Sequence, residues 1–321
     1  MMLSPFLGLT MSVGLVAAVQ AGEDPAMKRP RPVTVPVIIP DTEVHPLHSE
    51  QTGQDYRLFV AHPPAGPPLM GRGTSGPPAV VYVLDANLVF GTVVETARLM
   101  RQLTGELPPL LIVGIAYATD DRLLVGQLRG RDFTPTKSPS FDRQAAIFLP
   151  PDAKPLFPEG EGCGKAGEFL DFIREDVKPF ISEHYQVEKD NDTVIGVSLG
   201  GLFALYTLFE APDTFRSYIV GSPAIWWDDG VLFNMEKESA AEGRDLNARV
   251  FLAVGGLEEE AQLAFLAPYK MVSNLEEMAK RLRARGNPGL EVWTQVFERE
   301  THASVVGATV SRGLRTVFLP R

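Results

Sequence analysis

A serine lies between glycines in Gly196-Val197-Ser198-Leu199-Gly200-Gly201. The run Thr193-Val194-Ile195 precedes it and an apolar, helix-compatible stretch follows. Strand, G-x-S-x-G, helix is an arrangement that lifts a hydroxyl above the end of a sheet. Glycine is needed beside the turn because strand and helix backbones close on each other there. The N-terminus of the following helix offers free N–H groups and positive potential to a developing oxyanion. A serine in that position needs a base. Of His45, His48, His62, His184 and His302, only His302 is C-terminal to Ser198. It follows the strand-like run Leu290–Phe297 after a short polar turn, where a loop could carry its imidazole over the sheet top. An acid should orient that imidazole. The run Val250–Val254 ends in Gly255-Gly256-Leu257-Glu258-Glu259-Glu260, and Glu258, the first acid past the glycines, is chosen. Two of the three glutamates are expected to be solvated or in the first turn of a following helix, where negative charge is favourable. His45 and His48, at i, i+3 in an extended segment with no third ligand near, read as surface residues, not as a metal pair.

These residues require a scaffold that ends several strands at one edge. Strands are expected at Asp55–Ala61, Ala79–Asp85, Leu110–Ala116, Thr193–Val197, Ser217–Gly221, Val250–Val254 and Leu290–Phe297. Several are solid apolar blocks, as in strands buried on both faces. The sequence before Asp55 could add one more by hairpin. Helices are expected at Leu88–Gln102, Ala166–Ile181, Leu199–Glu210, Glu260–Arg285 and Ser304–Val317, the fourth interrupted at Pro268. In Ala166–Ile181, residues Phe169, Phe172, Ile173, Val177, Phe180 and Ile181 share one face, and Pro179 is expected to kink or end the helix. This alternation defines an α/β fold with a mostly parallel central sheet and helices on both faces. Ligands bind at the carboxyl ends of such strands.

The chain has 321 residues, 45% hydrophobic and 22% charged, which is ordinary globular composition. Its 30 Lys and Arg against 40 Asp and Glu leave a net charge of −10. That balance opposes nucleic-acid binding and a polybasic membrane-surface mode. Cys163 is the single cysteine, so no intrachain disulfide and no cysteine-based metal cluster can form. Leu3–Val19 is apolar or small, and Val19-Gln20-Ala21 places small residues at −3 and −1 of a cut after Ala21. Residues 1–21 therefore read as a secretory signal peptide, despite a leading segment without Lys or Arg, and no stable membrane insertion is expected after cleavage. Residues 22–41 form a Pro-rich extended leader, and 42–321 the folded domain. Pro63–Pro78 reads as a long hairpin or surface loop. Residues 117–165, with little regular pattern, read as a functional loop or cap insertion.

Taken together, Val81–Asn87, Ile112–Tyr117, Arg129–Pro135, Phe169–Ile181, Gly196–Gly201, Ser222–Trp227 and Thr301–Ser304 make the chain, from about Thr42 onward, resemble the esterase D family of serine esterases. These are α/β-hydrolases that include periplasmic siderophore (trilactone) esterases. The resemblance implies an α/β-hydrolase fold, Ser198 as nucleophile, His302 as general base and Glu258 as the acid, the last being the member that some relatives dispense with. It implies the Leu199 N–H as one oxyanion donor and the loop after Asp85 as the source of the second, from Asn87 or Ala86. Many relatives carry Asp-Gly where this chain has Asp85-Ala86-Asn87, so the choice between those two stays open. It further implies a small-molecule ester substrate and a periplasmic or secreted location.

The resulting expectation is a serine carboxyl-ester hydrolase that works through an acyl-enzyme with no metal or organic cofactor. Substrate-facing candidates are Arg129 and Arg131, which could grip a carboxylate or an electron-rich ring or else only pin their loop. Trp226 could line an aromatic wall or pack in the core. Two rivals remain: acyl transfer to another acceptor by the same residues, as in the related mycolyltransferases, and a non-catalytic binder on the same scaffold.

Overall fold

Alternation along the strands sorts their side chains into two apolar layers. In β3 (Ala79–Val83), Val80 and Tyr82 join one buried cluster while Ala79, Val81 and Val83 join the other. In β4 (Leu110–Tyr117), Leu111, Val113, Ile115 and Tyr117 face the first layer, and Leu110, Ile112 and Ala116 the second. Period-two burial on both faces is what a sheet sandwiched between helices requires. The structure is a computed structural model that describes residues 35–71, 73–138, 156–158, 160–260 and 267–319. The expected signal peptide and most of the leader lie outside the described residues, as do 139–155 of the expected cap insertion.

The sheet has eight strands in the order β1-β2-β4-β3-β5-β6-β7-β8. β1 (Thr42–Ser49) and β2 (Gln54–Ala61) form an antiparallel hairpin, and β2 runs antiparallel to β4. From β4 onward every pairing is parallel, through β5 (Thr193–Val197), β6 (Ser217–Gly221), β7 (Arg249–Gly255) and β8 (Glu291–Phe297). All seven strands expected from sequence are present, and the hairpin supplies β1. β2 and β3 are not neighbours, because β4 lies between them. Pro63–Pro78 is thus the surface-loop alternative and not a hairpin turn.

One layer of helices holds α1 (Ala86–Leu99) and α8 (Val305–Phe318). The opposite layer is built from α2 (Arg122–Asp132), α3 (Ala166–Phe172), α4 (Lys178–His184), α5 (Leu199–Glu210), α6 (Trp227–Ala241) and α7 (Met271–Ala284). α5 is buried almost all round, as its unbroken apolar sequence demands. The amphipathic run expected at Ala166–Ile181 is helical through His184. A π-turn at Ile173–Val177 separates α3 from α4 and places Pro179 in the first turn of α4. Of the helix expected at Glu260–Arg285, residues 261–266 lie outside the described residues. A 3₁₀ turn at Ala267–Tyr269 falls at the expected interruption, and regular helix runs over Met271–Ala284. Two helices among the described residues were not legible. α2 lies inside the segment read as an irregular insertion, with Asp121 accepting from the Leu123 and Leu124 N–H groups as its N-cap. α6 follows Trp226, and its first turn carries Asp228, Asp229 and Gly230 at φ of 46°, 55° and 78°, which masks the helical period. No helix among the described residues is long and apolar enough to cross a membrane.

Candidate active site

Ser198 stands at the carboxyl end of β5 with φ 60° and ψ −119°. This is an uncommon backbone for a residue with a Cβ. The turn is held on three sides. The Ser198 N–H donates to Gly221 O (2.9 Å), and its own carbonyl accepts from Leu202 N–H (2.9 Å) and Ala224 N–H (3.0 Å). The flanking glycines are steric necessities. A Cβ on Gly196 would come to 2.2 Å from Gly200 O, and one on Gly201 to 3.0 Å from Pro223 Cα. Ser198 itself is half-buried, so its hydroxyl remains reachable. Leu199 opens α5, and the first N–H groups of a helix are free of intrahelical partners.

The acid and the base meet beyond β7 and β8. Glu258 is fully buried in the 3₁₀ turn that follows β7. Its Oε1 accepts from Gly255 N–H at 2.8 Å and from the Ser222 hydroxyl at 2.6 Å. Its Oε2 lies 2.6 Å from His302 Nδ1. A carboxylate only accepts, so Nδ1 carries the hydrogen and the Nε2 lone pair is left for another proton. The imidazole is about one-third exposed (32%). Two close approaches bring it there. Leu257 N–H donates to Glu300 O at 3.1 Å, and a Cβ on Gly255 would sit 2.5 Å from that same carbonyl. Glycine at the last position of β7 therefore allows the histidine loop to close over the acid. Glu259 is turned away, accepting from Ser273 N–H (2.7 Å) and from the Ser273 hydroxyl (2.5 Å).

Hydrogen bonds connect the two halves along one edge of the sheet. Ser198 N–H reaches the end of β6, Ser222 N–H reaches Ala253 O of β7 (2.7 Å), Ser222 Oγ reaches Glu258, and Glu258 reaches His302. The nucleophile candidate and the imidazole candidate thus occupy the same carboxyl-terminal edge.

On the other flank, Asp85 follows β3 in a left-handed conformation (φ 54°) and opens α1. Arg129 of α2 holds its carboxylate with two parallel bonds, Nε to Oδ1 at 2.8 Å and Nη2 to Oδ2 at 2.9 Å. The Asn87 side chain ties α1 to the end of β4. Its Nδ2 donates to Tyr117 O (3.1 Å) and Thr119 O (3.0 Å), and its Oδ1 accepts from Tyr117 N–H (2.8 Å). With that side chain engaged, Asn87 and Ala86 offer a ligand only backbone N–H groups.

Arg131 is buried, donates from Nε to Asp132 Oδ1 (2.7 Å) and lies over the Phe157 ring (5.3 Å). Burial pushes the Asp132 carboxyl up, opposed by Arg131 and by the Tyr56 hydroxyl, which donates to it at 2.7 Å. Trp226 is half-buried and stacks on Tyr269 (4.3 Å between centroids), whereas Trp227 is fully buried and donates to Thr136 Oγ1. His45 and His48 lie on β1. His48 contacts Asp55, and His45 joins Tyr185 and Glu43. Among the described residues no group of three ligating side chains is arranged to hold a metal ion. Sequence reasoning missed Ser222, which appeared only as the start of a Ser-Pro-Ala stretch, and the Asp85–Arg129 pair, whose partners stand 44 positions apart.

This edge of an eight-stranded α/β sheet belongs to an esterase of the α/β-hydrolase type. Residues 141–294 match the family model described as "Putative esterase", and the chain belongs to that family. Among its relatives is the ferri-bacillibactin esterase BesA of Bacillus subtilis (strain 168), 35% identical over 288 residues that cover 88% of this chain and 91% of that one. The siderophore triacetylfusarinine C esterase of Aspergillus fumigatus is 28% identical, covering 90% of this chain and 96% of that one. The crystal structure of the BES protein from Bacillus cereus superposes with a TM-score of 0.71 at 30% identity, covering 90% of this chain and 98% of that one. The siderophore hydrolase EstB of Aspergillus nidulans gives 0.71 at 25% identity, covering 90% and 99%.

Proposed function

We propose that this esterase cleaves the ester bonds of a siderophore through a Ser198–His302–Glu258 triad. The observation that carries the triad is the buried Glu258 carboxylate 2.6 Å from His302 Nδ1, on the edge where Ser198 projects from its constrained turn. His302 Nε2 takes the hydroxyl proton as Ser198 Oγ attacks the ester carbonyl. The tetrahedral oxyanion is held by the Leu199 N–H and an N–H of the Ala86–Asn87 segment. His302, now an imidazolium beside Glu258, returns the proton to the departing alcohol and leaves an acyl-Ser198 ester. Water then attacks that ester by the same route in reverse order, releasing the acid and restoring the serine.

Support for a siderophore substrate is the naming of the relatives. Support for export is the uncharged apolar segment before Ala21, so the mature protein would be periplasmic or secreted, starting at Gly22. The test is a panel of esters, from short and long acyl p-nitrophenyl esters to a ferric trilactone siderophore, given to wild type and Ser198→Ala. Turnover of the trilactone with a kcat/KM well above the simple esters, lost in Ser198→Ala, is the expected result. Hydrolysis that survives Ser198→Ala overturns the triad. Preference for simple esters overturns only the substrate. Products formed with an added alcohol acceptor separate hydrolysis from acyl transfer, and N-terminal sequencing of exported protein checks the cut.

A further inference from the structure

We infer that Ser222 is a positioning residue for the acid of the triad, acting through Glu258 and not on substrate; the inference rests on the triad proposed above. Ser222 and Glu258 are both fully buried, and the Ser222 hydroxyl donates to Glu258 Oε1 at 2.6 Å. That is the length of a strong bond to a charged acceptor. The Gly255 N–H donates to the same oxygen at 2.8 Å, so Oε1 is held from two directions while Oε2 is left for His302.

The backbone argues that this hydroxyl has a task. Ser222 lies just past β6 at φ 41°, in the left-handed region where a Cβ is unfavourable. Its N–H donates to Ala253 O at 2.7 Å. Glycine would satisfy this backbone and its N–H bond without strain. A serine held there aims a donor at a buried carboxylate, the sort of local strain that gathers at functional sites. Among the described residues the groups facing Glu258 are the Gly255 N–H, the Ser222 hydroxyl and the His302 imidazole, and no Lys or Arg pairs with it. The carboxylate thus depends on these donors for its orientation. Without the hydroxyl, Oε1 keeps one donor and the side chain is freer to rotate away from Nδ1.

Two consequences separate positioning from a structural role. kcat should fall while KM holds, because Ser222 touches no substrate. The loss should also depend on Glu258 being present, because the hydroxyl acts only through that carboxylate.

The experiment compares wild type, Ser222→Gly and Ser222→Thr with p-nitrophenyl butyrate as the probe. Ser222→Gly removes the hydroxyl and relieves the left-handed strain. The expected result is an unchanged or raised Tm, kcat lower by about tenfold, the loss of one hydrogen bond to a charged group, and an unchanged KM. Ser222→Thr keeps the hydroxyl and should recover part of the kcat. The Glu258→Ala background supplies the control. There, Ser222→Gly should add nothing, since its partner is gone. Full kcat in Ser222→Gly, or an equal tenfold loss in the Glu258→Ala background, overturns the inference. Either result leaves the triad standing, because the triad is tested separately by Ser198→Ala.

Discussion

The two flanks of Ser198 are built on different principles. Toward β7 and β8, side chains carry the proposed proton transfer: a buried carboxylate and an imidazole one-third open to solvent, with the Ser222 hydroxyl bonded to the acid. Toward β3 and β4, polar side chains are tied to the protein. Arg129 is doubly bonded to Asp85, and Asn87 makes three bonds to the end of β4. What this second flank presents is backbone N–H groups at the start of α1, held rigid by those ties. A Cβ on Gly200 would come within 3.3 Å of Asp85 Oδ2, so the clamped carboxylate also abuts the first turn of α5. In the proposed mechanism one flank moves a proton and needs an acid–base side chain, and the other receives a developing charge and needs dipoles that do not reorganise.

Substitutions at the centre and on the proton flank should show the largest effects. Ser198→Ala should lower kcat by roughly 10⁴-fold or more and abolish labelling by a fluorophosphonate, with far-UV dichroism unchanged. Glu258→Gln preserves volume but removes the charge that stabilises the imidazolium. A loss of roughly 10³-fold in kcat is expected, with fluorophosphonate labelling slowed and not abolished. Unimpaired turnover in Glu258→Gln would reduce the proton flank to Ser198 and His302 alone.

The contrast between flanks also explains what was readable beforehand. That Ser198, Glu258 and His302 stand past the ends of β5, β7 and β8 was legible, because chain order and strand ends limit where side chains of these types can meet. The parallel sheet was legible for a similar reason, since both-face burial writes solid apolar runs such as Leu110–Tyr117. The arrangement of the proposed oxyanion flank was not. The donors assigned there are backbone N–H groups, which every residue but proline carries. Its rigidity comes from pairs distant in sequence, such as Asp85 with Arg129. Those two residues were visible only as a carboxylate after a strand and an arginine in a supposed loop. Ser222 was hidden because a left-handed serine leaves no compositional trace. α2 and α6 were missed where a polar helix and a kinked first turn break the apolar period.

Removing the clamp on the second flank should test the comparison at the next level down. Arg129→Met leaves the Asp85 carboxylate buried and without its cation, so a loss of about 3 kcal/mol in stability is expected from urea unfolding. The fall in kcat should come with little change in the pH profile, because no titrating member of the proton flank is touched. Arg129→Lys should recover little, since an ammonium cannot make two parallel bonds. Asp85→Asn combined with Arg129→Met should regain much of the stability, because no buried charge is then stranded. A displaced acid limb in Arg129→Met would mean that the two flanks are coupled and not separate.

The smallest effect belongs to a cluster on the β1 edge that serves neither flank. Glu43 accepts from the Tyr185 hydroxyl at 2.7 Å, and His62 Nε2 lies 2.9 Å from the same carboxylate oxygen. The Tyr185 bond, with help from His62 and His45, holds the Glu43 carboxyl below its ordinary value against the opposing effect of burial. A carboxylate lowered on folding adds stability that is present above its ordinary range and is lost as the pH falls through its lowered one. Glu43 is half-buried, with 41% of its side chain open to solvent, so solvent screens most of this contribution, and Tyr185→Phe should cost only about 0.5 kcal/mol at pH 7. The Tm gap between wild type and Tyr185→Phe should be widest near neutrality and close as the pH drops below the usual carboxylate range. Turnover of p-nitrophenyl butyrate should be unaltered. A gap that stays constant down to acid pH would assign the effect to the Tyr185 contact with His45 instead, and a change in kcat would draw this edge into the site.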